Sequence, residues 1–286
     1  MIDLHTHTTA SDGSLTPAAL VEAATRVGLR AIAITDHDTL SGYEEARQVA
    51  EAGKVELLCG VELTTVYERA QAGGRAWSIH LLAYFGDGLP PPVFLDWLEY
   101  WRQARRRRNE RLAQKLQQLG MEISLAEVEM LGGEQTGRPH FAELMVLKGY
   151  VRDREEAFRR YLDRGGLAYV PREKPTTVQA IQAVRSAGGV PVLAHPGRLS
   201  WDQEEEEISI SQLVAQGLLG LEAWHPDHSP ANARRYTAMA ARFGLVVTGG
   251  SDFHGVYTPH VTLGATSAGA RVPYEVVDRL RALIRR

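Results

Sequence analysis

Histidines and carboxylates recur along this chain at the ends of short apolar runs. His5 and His7 form a His-Thr-His pair directly after the first run, and Asp12 follows in Ser-Asp-Gly. Thr35-Asp36-His37-Asp38 and Gly60-Val61-Glu62 close the next two runs, and His80 lies inside a fourth. Further on come Ala194-His195-Pro196-Gly197-Arg198, the pair His225 and His228, and Ser251-Asp252-Phe253-His254. Imidazole and carboxylate are the ligands that borderline and hard divalent ions take. Residues two apart on a strand share one side, so His5 and His7 point the same way. A single histidine such as His80 is more often a buried, hydrogen-bonded side chain than a ligand. The agreement of so many strand ends favours a site for several ions, in which Glu62 suits a bridging role. Asp36 and Asp38 flank His37 and read as groups that orient ligands or cap loops. His260 reads as a surface or structural residue and Cys59 as core.

These residues need elements to bring them together. Apolar runs at 1–5, 29–35, 55–61, 77–84, 190–194, 220–223 and 245–248 read as strands, and most precede a helix signal. Thr16-Pro17 opens a helix that Gly28 ends. Ser41 with Glu44 has the pattern of a capping box. Residues 176–187 and 232–243 read as two more helices, closed by Gly188 and Gly244. Strand-helix alternation predicts a parallel sheet with crossover helices. About seven repeats favour a closed barrel, whose C-terminal strand ends would gather the site. The alternation breaks at Pro90-Pro91-Pro92, and no strand pattern returns until after Gly166. The reading is therefore α/β: a barrel domain from residues 1–87 and 167–286, with an all-helical insertion at 88–166. Arg105-Arg106-Arg107-Arg108 lies mid-helix and reads as a solvated face, with the wall of a substrate cleft as the alternative.

Composition removes other classes. A net charge of −3 gives no general attraction to nucleic acid, although a local basic groove remains open. The single cysteine, Cys59, excludes an internal disulfide and a cysteine-based zinc site. No run approaches the ~20 apolar residues of a membrane span. The chain begins on a strand pattern and not on a leader, so a cytoplasmic location is expected.

The motifs His5-Thr6-His7, Ser11-Asp12-Gly13, Thr35-Asp36-His37-Asp38, Gly60-Val61-Glu62, His80, Ala194-His195-Pro196 and Ser251-Asp252-Phe253-His254 resemble the PHP (polymerase and histidinol phosphatase) family over nearly the whole chain. The resemblance implies a distorted seven-stranded β/α barrel holding two or three ions of manganese, zinc or iron. It implies His5, His7, Glu62 and Asp252 around one ion, Glu62, His80 and His195 around a second, and Asp12, His37 and His254 around a third. Asp12 and the run Thr136-Gly137-Arg138-Pro139-His140 are similar to a subgroup that removes the 3′-phosphate of nucleoside 3′,5′-bisphosphates. There Arg138, His140, Arg198 and His228 would contact substrate phosphate, as suits bidentate arginine and a helix start. The implied chemistry is hydrolysis by a hydroxide bridging two ions, with Asp252, His37, His195 and Glu62 indispensable. The role of His225 stays open between a substrate contact and a loop residue. Three alternatives accompany this expectation. They are a 5′-3′ exoribonuclease acting on short RNA or DNA 5′ ends, a histidinol-phosphate phosphatase, and a non-catalytic metal-binding module.

Overall fold

The computed structural model describes residues 1–50, 55–68, 76–132, 136–266 and 271–284. Its sheet has seven strands in sequence order: β1 (Ile2–Asp3), β2 (Ala31–Ile34), β3 (Glu56–Glu68), β4 (Ala76–Gly86), β5 (Val190–Leu193), β6 (Gly220–Trp224) and β7 (Val246–Gly249). The fold is α/β, as the alternation predicts, but the sheet is mixed. β1, β2 and β3 pair in parallel, as do β5, β6 and β7. β4 runs antiparallel to both β3 and β5. The reason is connection length: the residues between Glu68 and Ala76 are fewer than the dozen or so that a parallel crossover needs. β3 also runs on past Val61, so Glu62 lies inside a strand and not after its end.

The sheet curls into a half-barrel, and backbone bonds tie its first strand to its last. Leu4 N–H donates to Gly249 O (3.4 Å), Asp252 N–H to His5 O (2.9 Å) and His7 N–H to Phe253 O (3.0 Å). Thr35 N–H donates to Thr6 O (2.9 Å) on the other side. The stretch 4–7 is thus held from both flanks, which fixes the direction of the His-Thr-His pair. Ile2, Leu4, Leu58, Leu82 and Val192 fill one face of the sheet as part of a buried apolar cluster. Helix α1 (Pro17–Arg26) packs its Leu20, Val21 and Ala24 with Ile32 and Ile34 of β2 in a second cluster. Thr16 caps α1 by accepting the Ala19 N–H (3.2 Å), with Pro17 in the first turn. Helix α2 (Ser41–Ala50) follows β2.

The chain divides into two compact units, Met1–Trp97 with Pro175–Arg286, and Leu98–Lys174. The division falls later at both ends than residues 88 and 166. Phe94, in the first turn of α3 (Pro92–Gln118), packs its ring against Phe85 of β4 with centroids 4.8 Å apart, so that turn belongs with the sheet. Ala168 and Val170 lie in the apolar core of the second unit and carry the chain with it. That core is built by α3, α4 (Leu125–Gly132), α5 (Arg138–Leu147), α6 (Arg154–Ala157) and the π turn Phe158–Leu162. No strand occurs among the described residues of this unit. The sheet unit resumes with α7 (Thr177–Ser186), α8 (Gln203–Ala215), α9 (Pro230–Phe243) and α10 (Glu275–Ile284).

Candidate metal centre

Glu62 sits at the middle of a ring of histidines in the sheet unit. It is buried, and its Oε2 lies 3.3 Å from His5 Nε2, 3.2 Å from His7 Nε2 and 3.2 Å from His37 Nδ1. Its Oε1 lies 2.9 Å from both His80 Nδ1 and His195 Nε2. Asp252 faces the same nitrogens from the β7 end, with Oδ1 3.3 Å from His5 Nε2 and 3.2 Å from His7 Nε2. Asp12 is joined by His254 Nε2 at 3.3 Å, His7 Nδ1 at 3.4 Å and His37 Nε2 at 3.7 Å.

Three groups of potential ligand atoms result, each with all its atoms within 4.8 Å of one another: His5, His7, Glu62 and Asp252; His7, Asp12, His37 and His254; and His37, Glu62 and His80. His195 joins through its contact with Glu62. Ligands 2.0–2.2 Å from a tetrahedral ion stand about 3.3–3.6 Å apart. The nitrogen–oxygen separations in the first group match that spacing. The nitrogens His5 Nε2, His7 Nε2, His37 Nδ1 and His195 Nδ1 are buried and make no hydrogen bond of good geometry. A buried polar atom without a hydrogen bond is costly, and lone pairs converging on one point are what a cation needs. The residues therefore fit a site for several divalent ions.

The electrostatics agree. Burial pushes the Glu62 carboxyl up, but the His37, His80 and His5 rings outweigh it and hold Glu62 well below the usual range. Asp252 is likewise held well below its ordinary value, against burial, by His5, His225 and His7. Burial opposes protonation of His7, yet hydrogen bonds to Asp252 and Glu62 raise it to about 10. His5 is also raised, through Glu222, Glu62 and Asp252. His37 is lowered to about 4, chiefly by burial. Without ions, protons on His5 and His7 balance the carboxylates; ions would displace them.

The backbone around the site is strained. Asp38, His195 and Asp252 take φ of 52°, 25° and 53°, a region that ordinary residues rarely enter. Such strain costs ~1–3 kcal/mol per residue and persists only where the surroundings enforce it. Here the Asp252 N–H is tied to His5 O, and Asp38 Oδ1 accepts the Thr64 N–H at 2.8 Å. Asp36 takes the Thr8 N–H (2.7 Å), the Thr8 hydroxyl (2.7 Å) and the Ser11 hydroxyl (2.6 Å), which pins the loop carrying Asp12. Both aspartates orient loops, as their flanking positions suggest.

Residues 3–163 match the PHP domain family. The chain belongs to that family. It is therefore a hydrolase, a phosphoesterase with a buried cluster of histidines and carboxylates. The 5′-3′ exoribonuclease Rnm of Escherichia coli (strain K12) is 34% identical over 88% of this chain and 84% of its own length. The 3′,5′-nucleoside bisphosphate phosphatase of Chromobacterium violaceum is 32% identical over 88% of this chain and 87% of its own. A metal-dependent phosphoesterase of Bifidobacterium adolescentis, described as putative in its crystal structure, superposes with a TM-score of 0.78 at 34% identity, covering 99% of this chain and 96% of that one.

For a PHP fold, the remaining sequence candidates divide by environment. Arg198 stands beside the cluster, its Nη1 donating to Asp252 Oδ2 and its Nε to Asp227 Oδ2, both at 2.7 Å, with nearly half of its side chain exposed. His225 is fully buried, with Nε2 3.4 Å from Asp252 Oδ2 and Nδ1 accepting the Asp227 N–H (3.1 Å). It braces Asp252 and the Arg198–Asp227 pair. The sequence expectation for His228 is a phosphate contact. It is buried, Nδ1 lies 2.9 Å from Ala223 O and Nε2 accepts the Gly197 N–H at 3.2 Å, so both nitrogens are engaged. Its ring holds the His195-Pro196-Gly197 turn against β6. In the helical unit, Arg138 Nη1 donates to Leu162 O (3.0 Å) and to Asp163 (3.3 Å). His140 Nδ1 accepts the Gly137 N–H (3.1 Å), capping α5. His260 is exposed and Cys59 buried.

Sequence reasoning missed Glu222 and Asp3. Glu222 is fully buried in β6; its Oε1 lies 3.0 Å from His5 Nδ1 and its Oε2 accepts the His195 N–H at 2.7 Å. It thus orients two candidate ligands at once. Asp3, also fully buried, accepts the Ser251 N–H (2.9 Å), the Ser251 hydroxyl (2.5 Å) and the Gly264 N–H (2.7 Å), fixing the loop that carries Asp252. The available signal was a carboxylate inside an apolar strand, which must have a partner to be buried.

Proposed function

We propose that this PHP phosphoesterase removes the 3′-phosphate of nucleoside 3′,5′-bisphosphates, giving the 5′-monophosphate and phosphate. The observation that carries the reading is the convergence of three ligand groups on shared Glu62, His7 and His37, with Arg198 bonded to Asp252 at their edge. The bisphosphate phosphatase relative, similar over almost all of both chains, supports the choice of substrate. In this reading His5, His7, Glu62 and Asp252 hold one ion, Glu62, His80 and His195 a second, and Asp12, His37 and His254 a third. Bound ions of manganese, zinc or iron would supply an activated water and neutralise phosphoryl oxygens. Glu62 stays ionised because the surrounding rings hold its pKa down, so it would offer bound ions a negatively charged carboxylate. Arg198 carries a fixed positive charge at the mouth, suited to a phosphate oxygen. Glu222 and His225 keep His5, His195 and Asp252 in place.

A second reading is 5′-3′ exoribonucleolytic trimming. It is favoured by the exoribonuclease relative and by the arginines of the helical unit. The two readings are compatible, since each needs a terminal nucleotide in the same metal site. The test is phosphate and nucleotide release by metal-loaded protein from adenosine 3′,5′-bisphosphate, a 5′-phosphorylated RNA oligomer and histidinol phosphate. Fast release from the bisphosphate with AMP as product supports the first reading. Turnover of the RNA alone favours the second, and turnover of histidinol phosphate alone rejects both. Among the described residues no helix is long and apolar enough to cross a membrane.

A further inference from the structure

The short 3-10 turn after His254, Gly255–Tyr257, displays two apolar side chains to solvent. Val256 is 74% exposed and Tyr257 70%. Among the described residues they are the only exposed large apolar side chains within three positions of a candidate ligand. The Tyr257 side chain makes no hydrogen bond or ring contact with any described residue, so it serves neither a core nor a polar network. Single exposed apolar side chains are ordinary on a protein surface. The turn that presents this one is not loose.

Ser14 N–H donates to His254 O (3.1 Å), Thr258 N–H to Gly255 O (3.2 Å) and Val256 N–H to Ser14 Oγ (2.9 Å). Thr258 Oγ1 accepts the His254 N–H at 3.2 Å, and His254 Nδ1 lies 2.8 Å from Asp252 O. Gly255 takes φ of 69°, and a Cβ there would collide with Ser14 Oγ, so the turn is built around a glycine. It is thereby fastened to the loop that carries Asp12, whose carboxylate stands 3.3 Å from His254 Nε2. A 3-10 turn advances ~2 Å per residue, which puts the Tyr257 backbone about 6 Å along the chain from His254. A nucleoside whose phosphate lies at the ligand cluster spans that distance. A flat ring on a fixed turn beside a phosphate-ester site suits a nucleobase, since every base has a π face to stack. A tyrosine also loses little conformational freedom when it does so. Two side chains are too few for a protein interface, which takes about 20–30 residues a side.

We propose that Tyr257 is a stacking platform for the base of the substrate nucleoside, with Val256 extending its apolar surface, so that the site selects nucleotides over phosphate esters of bare sugars or amino alcohols. Resting on the nucleotide reading of the metal centre, the platform supplies what the ions and Arg198 do not. Those groups engage phosphate alone and treat all phosphate monoesters alike, whereas Tyr257 meets the part that makes the ester a nucleotide.

The test compares metal-loaded wild type, Tyr257→Phe and Tyr257→Ala on two substrates. One is adenosine 3′,5′-bisphosphate, and the other is 1,4-anhydroribitol 3,5-bisphosphate, the same molecule with hydrogen in place of the base. Because Tyr257 is exposed, both variants should fold. Loss of a base–aromatic stack corresponds to a fall in affinity of at least about fivefold. Tyr257→Ala should therefore raise KM for the adenosine substrate by at least about fivefold with kcat within about twofold, as expected when binding energy shared by ground and transition states is removed. Tyr257→Phe, which keeps the ring, should stay within about twofold of wild type. On the baseless substrate wild type and Tyr257→Ala should agree within about twofold. Titration calorimetry with AMP gives a reading independent of turnover, and its Kd should rise in Tyr257→Ala by the same factor as KM. An unchanged KM and Kd in Tyr257→Ala would overturn the proposal, and so would an equal loss on both substrates, which marks a structural role. Dissociation of a dimer in Tyr257→Ala by sedimentation, with KM unchanged, would assign the apolar pair to a second copy of the chain and also overturn it. Wild type that neither cleaves the adenosine substrate nor binds AMP would instead remove the nucleotide reading, and the platform with it.

Discussion

Replacing Glu222 with glutamine probes the metal centre from outside its ligand set. The carboxylate serves two donors at once, the His5 ring at 3.0 Å and the His195 backbone N–H at 2.7 Å. It is fully buried, and His5, aided by His225 and His195, keeps it ionised against burial, at about 2. An amide of the same shape has one acceptor oxygen. In Glu222→Gln, either the His5 ring N–H or the His195 N–H must therefore face an NH2 group. Losing one charge-assisted hydrogen bond in a buried site costs about 1.5–3 kcal/mol. That corresponds to roughly a 10–100-fold weaker grip on the ions, the range expected for groups that orient metal ligands. The assay is competition for Mn or Zn between metal-stripped protein and a chromogenic chelator. The expected outcome is an apparent Kd raised 10–100-fold, with activity restored to within a few-fold of wild type at saturating metal. Affinity unchanged within twofold, in a variant with native circular dichroism, would refute the claim that Glu222 positions His5 and His195.

Asp252→Ala should abolish turnover, by ~10³-fold or more, while the protein stays folded; the scale follows from the several kcal/mol that metal ions contribute to such hydrolyses. Activity near wild type would remove Asp252 from the site. The pH dependence of the metal-stripped protein follows from His7, whose folded pKa of about 10 exceeds the ordinary histidine value of 6.5. Its contribution to stability is present in full below 6.5 and is lost as pH rises through 10. The thermal midpoint of stripped protein should therefore fall over that window, and metal-loaded protein should fall less. A flat profile for stripped protein would contradict the protonated His7. His228→Ala should lower the thermal midpoint by the equivalent of about 1–3 kcal/mol, because it leaves the Gly197 N–H without its acceptor. A raised KM with no loss of stability would instead make His228 a substrate contact.

Most of the candidate ligand cluster was legible because metal chemistry restricts residue type, and the strand-end positions of His5, His37 and Asp252 follow from short-range pattern. What periodicity could not show was direction. β4 has the same alternation whether it runs parallel or antiparallel, and only the short Glu68-to-Ala76 connection carried the hint. Histidine identity likewise hid a difference of role. His80 and His228 both occur near apolar runs, yet one faces Glu62 and the other spends both nitrogens on backbone. Glu222 was invisible because its partners lie 217 and 27 residues away in sequence. The limits of the helical unit are set by Phe94 packing against Phe85 and by Ala168 and Val170 in the helical core, contacts that Pro90-Pro91-Pro92 does not encode.

The measurement that tests the account most directly is a titration of metal-stripped protein with Mn, Zn or Fe(II), following phosphate release from adenosine 3′,5′-bisphosphate against ions bound per chain. The account predicts no release by stripped protein, recovery as occupancy rises past one ion per chain, and AMP as the product. Release at full rate by protein shown to carry no ion, or no release at any occupancy with any of the three metals, would contradict it.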